Sequence, residues 1–180
     1  ISRTPVREAL YKLEREGYIE VMPRSGWRVR EFDFRYYEDL YDVRIVLECA
    51  ALKKLCKLAE EAPALKELKQ TWLVARARRI RDALEVSRLD ERFHDGLVEA
   101  AGNAEMRRMH GEVTERIRII RRLDFTQPER IDATYEEHGE VLRAVLARRA
   151  AQADMLLRAH IEQSKAVVRQ ITLHTLHTTR

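Results

Sequence analysis

The chain has 180 residues, 45% of them hydrophobic and 36% charged, with six glycines, four prolines and a formal net charge of +4. That composition excludes a disordered or glycine- and proline-rich chain and favours amphipathic helices in water. No apolar run approaches the roughly 20 residues that cross a bilayer, and the N-terminus lacks the basic-then-hydrophobic pattern of a secretory signal, so the expected location is cytoplasmic.

The length suits a short module plus a domain of about 140 residues. The charge is unevenly shared. Residues 1–30 hold seven basic side chains against four acidic ones, whereas residues 31–180 hold 27 against 26. The positive field therefore belongs to the N-terminal segment, where a polyanion would bind.

In Ser2-Arg3-Thr4-Pro5-Val6-Arg7-Glu8-Ala9-Leu10, Ser2 or Thr4 can cap a helix and Pro5 suits its first turn. Val6, Ala9, Leu10 and Leu13 recur at three- and four-residue spacing and predict a buried face, with Arg3 and Arg7 on an exposed stripe and Gly17 as the stop. Beyond Gly17 the period changes to two. Ile19 and Val21 alternate with Glu20 and Met22, Pro23-Arg24-Ser25-Gly26 turns the chain, and Trp27 and Val29 alternate with Arg28 and Arg30. A helix with arginines and hydroxyls at its start can enter the major groove while a basic hairpin holds phosphate or minor groove. From charge and shape alone, an ordinary surface helix and hairpin is an equal alternative.

The run SRTPVREALYKLEREGYIEVMPRSGWRVRE resembles the recognition helix and wing of the GntR family of bacterial regulators, with its Ser-Arg-Thr-Pro-Val-Arg-Glu-Ala-Leu core and its Arg-x-Gly wing. The resemblance implies that Arg3, Thr4 and Arg7 face base edges or phosphates, with Ser2 nearby and Ser25-Gly26 at the wing tip. That family places two helices before this one, so residues 1–32 are expected to be a truncated winged helix-turn-helix and residues 33–180 a helical domain.

Asp33 can cap a long helix from about Phe34 to Glu61, with Tyr37, Leu40, Val43, Leu47, Ala51 and Leu55 along its inner side. Cys49 and Cys56 lie seven apart on it, too far along the axis for an easy disulfide and too few for a thiolate metal site, and are expected as core thiols. Pro63 opens the next helix. A helix after Ser87 carries Asp90, Phe93, His94 and Leu97 on one side, and Gly102-Asn103 combines a stop with a cap. Residues 104–123 form a basic helix. Thr126-Gln127-Pro128 starts another that reaches about Arg148, and a last helix covers roughly Gln152 to Thr172. With no internal repeat, the domain is expected to be one bundle of six or seven helices. Trp27 and Trp72 are expected to pack; His110, His174 and His177 are expected at the surface, the last two in a frayed tail.

Asp90 and His94 are four apart, one helical turn, and point the same way. His138 and His160 are 22 apart. If the chain reverses near Arg149, each arm climbs or descends about 16 Å and both imidazoles return to one level. Three histidines and a carboxylate then converge from three helices, a set suited to Zn²⁺, Ni²⁺ or another first-row divalent ion. Separate surface or hydrogen-bonded histidines are the plainer alternative.

Tyr41-Asp42-Val43-Arg44 with Glu48, then Asp90-x-x-Phe93-His94-x-x-Leu97 running to Ala100-Ala101-Gly102-Asn103, then Glu137-His138-x-x-Val141-Leu142-x-Ala144 and His160, resemble the FCD effector domain of the FadR-type subfamily. The resemblance implies an all-helical fold, a divalent metal held by Asp90, His94, His138 and His160, and a small organic acid bound there. One departure is that Arg149-Ala150 stand where the family often has Gly-Asp. Arg44 is the expected grip on the acid's carboxylate, with an intrahelical pair to Glu48 as a strong alternative.

The functional expectation is a dimeric DNA-binding regulator, usually a repressor in this family, that reads a palindromic operator and responds to a small carboxylate. Two rivals are a metalloenzyme, in which the histidine and carboxylate site activates water, and a regulator whose metal only braces the fold.

Overall fold

The computed structural model describes residues 3–178, with side chains described for residues 4–172. The chain forms two compact units, Ile1–Tyr36 and Tyr37–Arg180.

In the first unit, helix α1 (Arg3–Arg15) is followed by strands β1 (Ile19–Met22) and β2 (Gly26–Val29). Gly17 ends the helix because it can adopt φ 85°, which lets its own N–H and that of Tyr18 reach back to the Glu14 and Leu13 carbonyls. The strands pair antiparallel with Val21 opposite Trp27 and Ile19 opposite Val29. A Glu20–Arg28 ion pair at 2.6 Å spans the exposed side. Trp27 meets the Tyr11 ring edge-on at 5.3 Å, and Ile19 is buried. The buried face expected on α1 is not found among the described residues: Val6 and Leu13 are 49% and 38% exposed. A hairpin with four residues per strand offers too little apolar surface to cover a 13-residue helix.

The remaining helices are α2 (Phe34–Leu55), α3 (Ala64–Trp72), α4 (Ala83–Ala100), α5 (Ala104–Asp124), α6 (Pro128–Leu146) and α7 (Ala150–Thr178), with a single 3-10 turn at Arg76–Arg78. Helix α6 packs along α7, α4 along α5, α3 against both α4 and α6, and α5 against α7. Leu52, Val86, Phe93, Leu97, Ile117, Leu142, Leu157 and Ile161 form the centre of one apolar core. Ion pairs from Lys165 to Asp42 (2.7 Å) and from Arg169 to Glu38 (2.5 Å) tie α7 to α2. The fold class is therefore mainly α, with one two-stranded sheet.

Local chemistry sets most of the ends. Asn103 accepts a hydrogen bond from the Met106 N–H at 3.0 Å and caps α5. Asp82 does the same for α4 through Glu85, so this helix starts at Ala83 and not after Ser87. Helix α2 stops at Leu55, short of the expected Glu61. The chain must reverse before Pro63 to lay α3 against α4 and α6, and it does so in i→i−3 turns at Lys57 and Leu58 despite good helix formers there. Of its expected inner face Leu40, Ala51 and Leu55 are buried, but Val43 is 42% exposed, and Tyr41, Arg44, Ile45 and Glu48 also point inward. Between α6 and α7, Arg148 takes φ 57°, and the Arg148 and Arg149 N–H groups bond the Val145 and Ala144 carbonyls, a left-handed helix stop made without glycine.

Candidate metal centre

Helix α4 presents Asp90 and His94 on one face, α6 presents His138, and the reversal at Arg148 brings His160 of α7 back to the same level. One ligand atom from each of the four lies within 4.8 Å of the others, and all four residues are buried. His138 Nε2 is 3.2 Å from His160 Nε2, and His160 Nε2 is 3.3 Å from His94 Nε2. Asp90 Oδ1 stands 3.5 Å from His94 Nε2, 3.4 Å from His138 Nε2 and 4.0 Å from His160 Nε2. Two neighbouring donors of an ion bound at about 2.0–2.2 Å are about 2.8 to 3.6 Å apart, so four of these five spacings suit one shared cation.

The outer contacts orient the donors. His94 Nδ1 lies 2.5 Å from Glu48 Oε2, and His160 Nδ1 lies 2.6 Å from Glu137 Oε2. A carboxylate there accepts a hydrogen bond from Nδ1–H, which keeps the ring proton at Nδ1 and leaves the Nε2 lone pair facing inward. Glu137 is fixed in turn by Arg130 at 3.0 and 3.1 Å, and Arg130 reaches Asp124 at 3.2 Å. His138 has no hydrogen-bond partner at Nδ1. Its ring is held by stacking on Phe93, with centroids 3.6 Å apart, and by the edge of Trp72 at 4.2 Å. Trp72 is thus a packing residue, as expected, and the ring it packs is a candidate ligand.

Electrostatics prepares the same donors. Burial, reinforced by Arg44 at His94 and by His160 at His138, holds both imidazoles below the ordinary histidine range and therefore neutral. Burial opposes ionisation of Asp90, but Arg121, whose Nη2 is 2.6 Å from Oδ2, outweighs it and holds the carboxyl well below its usual range. Lone pairs from neutral imidazoles facing a carboxylate in a buried pocket are a poor arrangement by themselves. A divalent cation resolves it, so the donor set fits a first-row metal ion.

Beside the cluster, Arg44 is 1% exposed and gives its Nε to Glu48 Oε1 at 2.6 Å. The intrahelical pair weighed from the sequence is therefore present, yet Arg44 Nη2 is left buried without a hydrogen-bond partner, as are Arg121 Nη1 and Thr114 Oγ1. Buried donors of this kind are costly unless a ligand meets them. His110, expected at the surface, is 1% exposed and donates from Nε2 to Glu48 Oε1 at 3.0 Å. From the sequence Glu48 is expected only as the intrahelical partner of Arg44 and His110 only at the surface, and Arg121 carries no expected role. A signal existed: His110, Thr114, Ile117 and Arg121 recur along one face of α5, with polar residues at core spacing. The side chains of His174 and His177 lie outside the described residues.

In the first unit Thr4 and Arg7 are exposed on α1, and Ser25 and Gly26 are exposed at the hairpin tip. Ser2 and the side chain of Arg3 lie outside the described residues. No helix of the described residues is long and apolar enough to cross a membrane.

A helix with a two-stranded wing, and an all-helical domain with a buried histidine and aspartate cluster, define the architecture of a bacterial transcription regulator. Residues 39–163 match the FCD domain, and residues 1–29 match the bacterial regulatory proteins of the gntR family. The chain belongs to the GntR family, in its FCD-containing branch. It is 30% identical over 163 residues to the Nta operon transcriptional regulator of Aminobacter aminovorans, covering 91% of this chain and 76% of that protein. It is 26% identical to LutR of Bacillus subtilis, covering 93% and 85%. A GntR-type regulator from Rhodococcus sp. RHA1 has the same fold, with a TM-score of 0.75, 20% identity and coverage of 94% and 81%. The Zn²⁺-bound FCD domain of TM0439 superposes with a TM-score of 0.61 at 23% identity, covering 79% and 98%. Both curated relatives carry the name of a transcriptional regulator, which favours the regulator reading over the metalloenzyme one.

Proposed function

We propose that this regulator senses a small organic acid at a divalent metal, Zn²⁺ or Ni²⁺ being best suited, held by Asp90, His94, His138 and His160. The observation that carries the reading is the convergence of those four donors, with two imidazoles turned inward by Glu48 and Glu137 and unpaired guanidinium donors of Arg44 and Arg121 close by. When bound, the metal supplies a Lewis-acidic anchor for a carboxylate. Arg44 Nη2 and Arg121 Nη1 supply charge-assisted hydrogen bonds to the same anion, and the Trp72, Phe93 and Tyr135 rings wall the histidines from water.

At the other end, Arg3, Thr4 and Arg7 contact base edges and phosphates in the major groove, with Ser2 nearby and Ser25-Gly26 of the wing on the backbone. A cytoplasmic homodimer presents two such helices to a palindromic operator and acts as a repressor. The acid regulates by binding one dimer geometry more tightly, and a coupling of about 1–3 kcal/mol changes operator affinity 5- to 150-fold.

The test is calorimetry on metal-stripped and Zn²⁺-loaded protein with a panel of hydroxy- and dicarboxylic acids. It is followed by anisotropy on DNA fragments that the protein selects from its genome. An acid that binds only the loaded form and shifts DNA affinity supports the reading. If Zn²⁺ raises the melting temperature but no acid of the panel binds, the metal is a brace and the sensor reading fails.

A further inference from the structure

The carboxylate that orients His94 has a partner for which the metal centre alone gives no reason. Glu48 is 0% exposed, and its two oxygens serve three donors. Oε2 meets His94 Nδ1 at 2.5 Å, while Oε1 accepts from Arg44 Nε at 2.6 Å and from His110 Nε2 at 3.0 Å. Helix α2 carries Glu48, α4 carries His94 and α5 carries His110, so a single carboxylate joins three helices. The charged groups facing His110 are Glu48 from α2 and Asp95 from α4. Asp95 Oδ1 lies 3.0 Å from His110 Nδ1 on a side chain that is 45% exposed.

Arginine binds carboxylates most strongly with two parallel N–H bonds. Arg44 makes only one to Glu48, and its Nη2 is left without a partner four residues away on the same helix. With Oε1 held by Arg44 alone, only the His94 contact would oppose a turn of Glu48 to take both guanidinium donors, a turn that would draw Oε2 away from His94. His110 occupies Oε1 from the opposite helix and blocks that rotation. We propose that His110 is a positioning residue of the metal centre: by fixing Glu48 it keeps His94 turned for metal and keeps the second donor of Arg44 free for an anion. The proposal rests on the reading of Asp90, His94, His138 and His160 as a metal site.

The test compares the wild type with His110→Leu, which has no donor, His110→Gln, which retains one, and Ile117→Ala, a core variant on the same helix that leaves Glu48 untouched. Two quantities are read: Zn²⁺ affinity by competition with a chelator, and the His94 ring tautomer in the metal-free protein by ¹⁵N NMR. His110→Leu weakens Zn²⁺ binding about 10- to 100-fold, the range for lost outer contacts of a metal site, and the Nδ1–H tautomer of His94 gives way to a mixture. His110→Gln restores most of both, and Ile117→Ala lowers the melting temperature without moving either. If His110→Leu does not fold, Asp95→Asn at the partly exposed end of the contact gives the same shift at smaller size. Unchanged affinity and tautomer in His110→Leu, or an equal loss in Ile117→Ala, overturns the proposal. Failure of the wild type to bind Zn²⁺ sinks the metal reading instead, while the tautomer still decides what His110 does to His94.

Discussion

At the residue scale the candidate centre is a set of compensated buried charges, and each compensation can be removed singly. Arg121 is the partner of Asp90 inside the bundle, so Arg121→Met leaves that carboxylate buried and unpaired. The expected cost is about 3–5 kcal/mol in urea unfolding of the metal-free protein, with much of it recovered on adding Zn²⁺, because a cation at the cluster replaces the lost charge. A change near zero would mean that Asp90 does not depend on Arg121. Cys49 is buried, and burial together with nearby Asp154 pushes its thiol up to about 12. It is therefore expected to resist a thiol reagent at pH 8 until the protein unfolds, and rapid labelling of the native protein would contradict its placement. The four convergent residues were legible from the four-residue and 22-residue spacings. The Arg44–Glu48 pair was legible too, but the inward positions of Glu48, His110 and Arg121 were not, because charged residues are expected on the solvent side, whereas here each is satisfied by another buried charge.

At the scale of elements, helix ends that depend on one side chain were readable and those that depend on packing were not. Asn103 combined a cap with a preceding glycine and does cap α5. The early end of α2 has no local signal, since residues 56–61 are good helix formers and only the need to return α3 to the core ends the helix. The inner side of α2 was read only in part, with Leu40, Ala51 and Leu55 buried as expected and Val43 exposed, for a related reason. Two apolar stripes run along it, and the one that faces inward also carries Arg44 and Glu48, which an apolar count passes over. Capping supplies the test at this scale: Asn103→Ala should destabilise the protein by about 0.5–2 kcal/mol, as for other caps of this type. Its Zn²⁺ affinity should stay at the wild-type value, because Asn103 lies at the end of the bundle's α4–α5 turn and touches none of the four ligands.

At the scale of the whole molecule, the two units carry separate chemistries, and their variants should separate accordingly. Arg7 is exposed on α1 in the basic unit. Arg7→Ala is expected to weaken binding to the selected DNA by about 1–3 kcal/mol if it reads a base, or to lower the salt slope by about 1 if it holds a phosphate. In either case Zn²⁺ and acid affinities should be unchanged. His138→Ala should do the reverse, abolishing metal uptake and the acid response while leaving basal DNA affinity in place. The most direct measurement of the central claim is diffraction from Zn²⁺-loaded crystals on either side of the zinc absorption edge. The account predicts one strong anomalous peak per chain, about 2.0–2.2 Å from Asp90 Oδ1 and from the Nε2 atoms of His94, His138 and His160. A fully loaded crystal with no peak among those four atoms would contradict it.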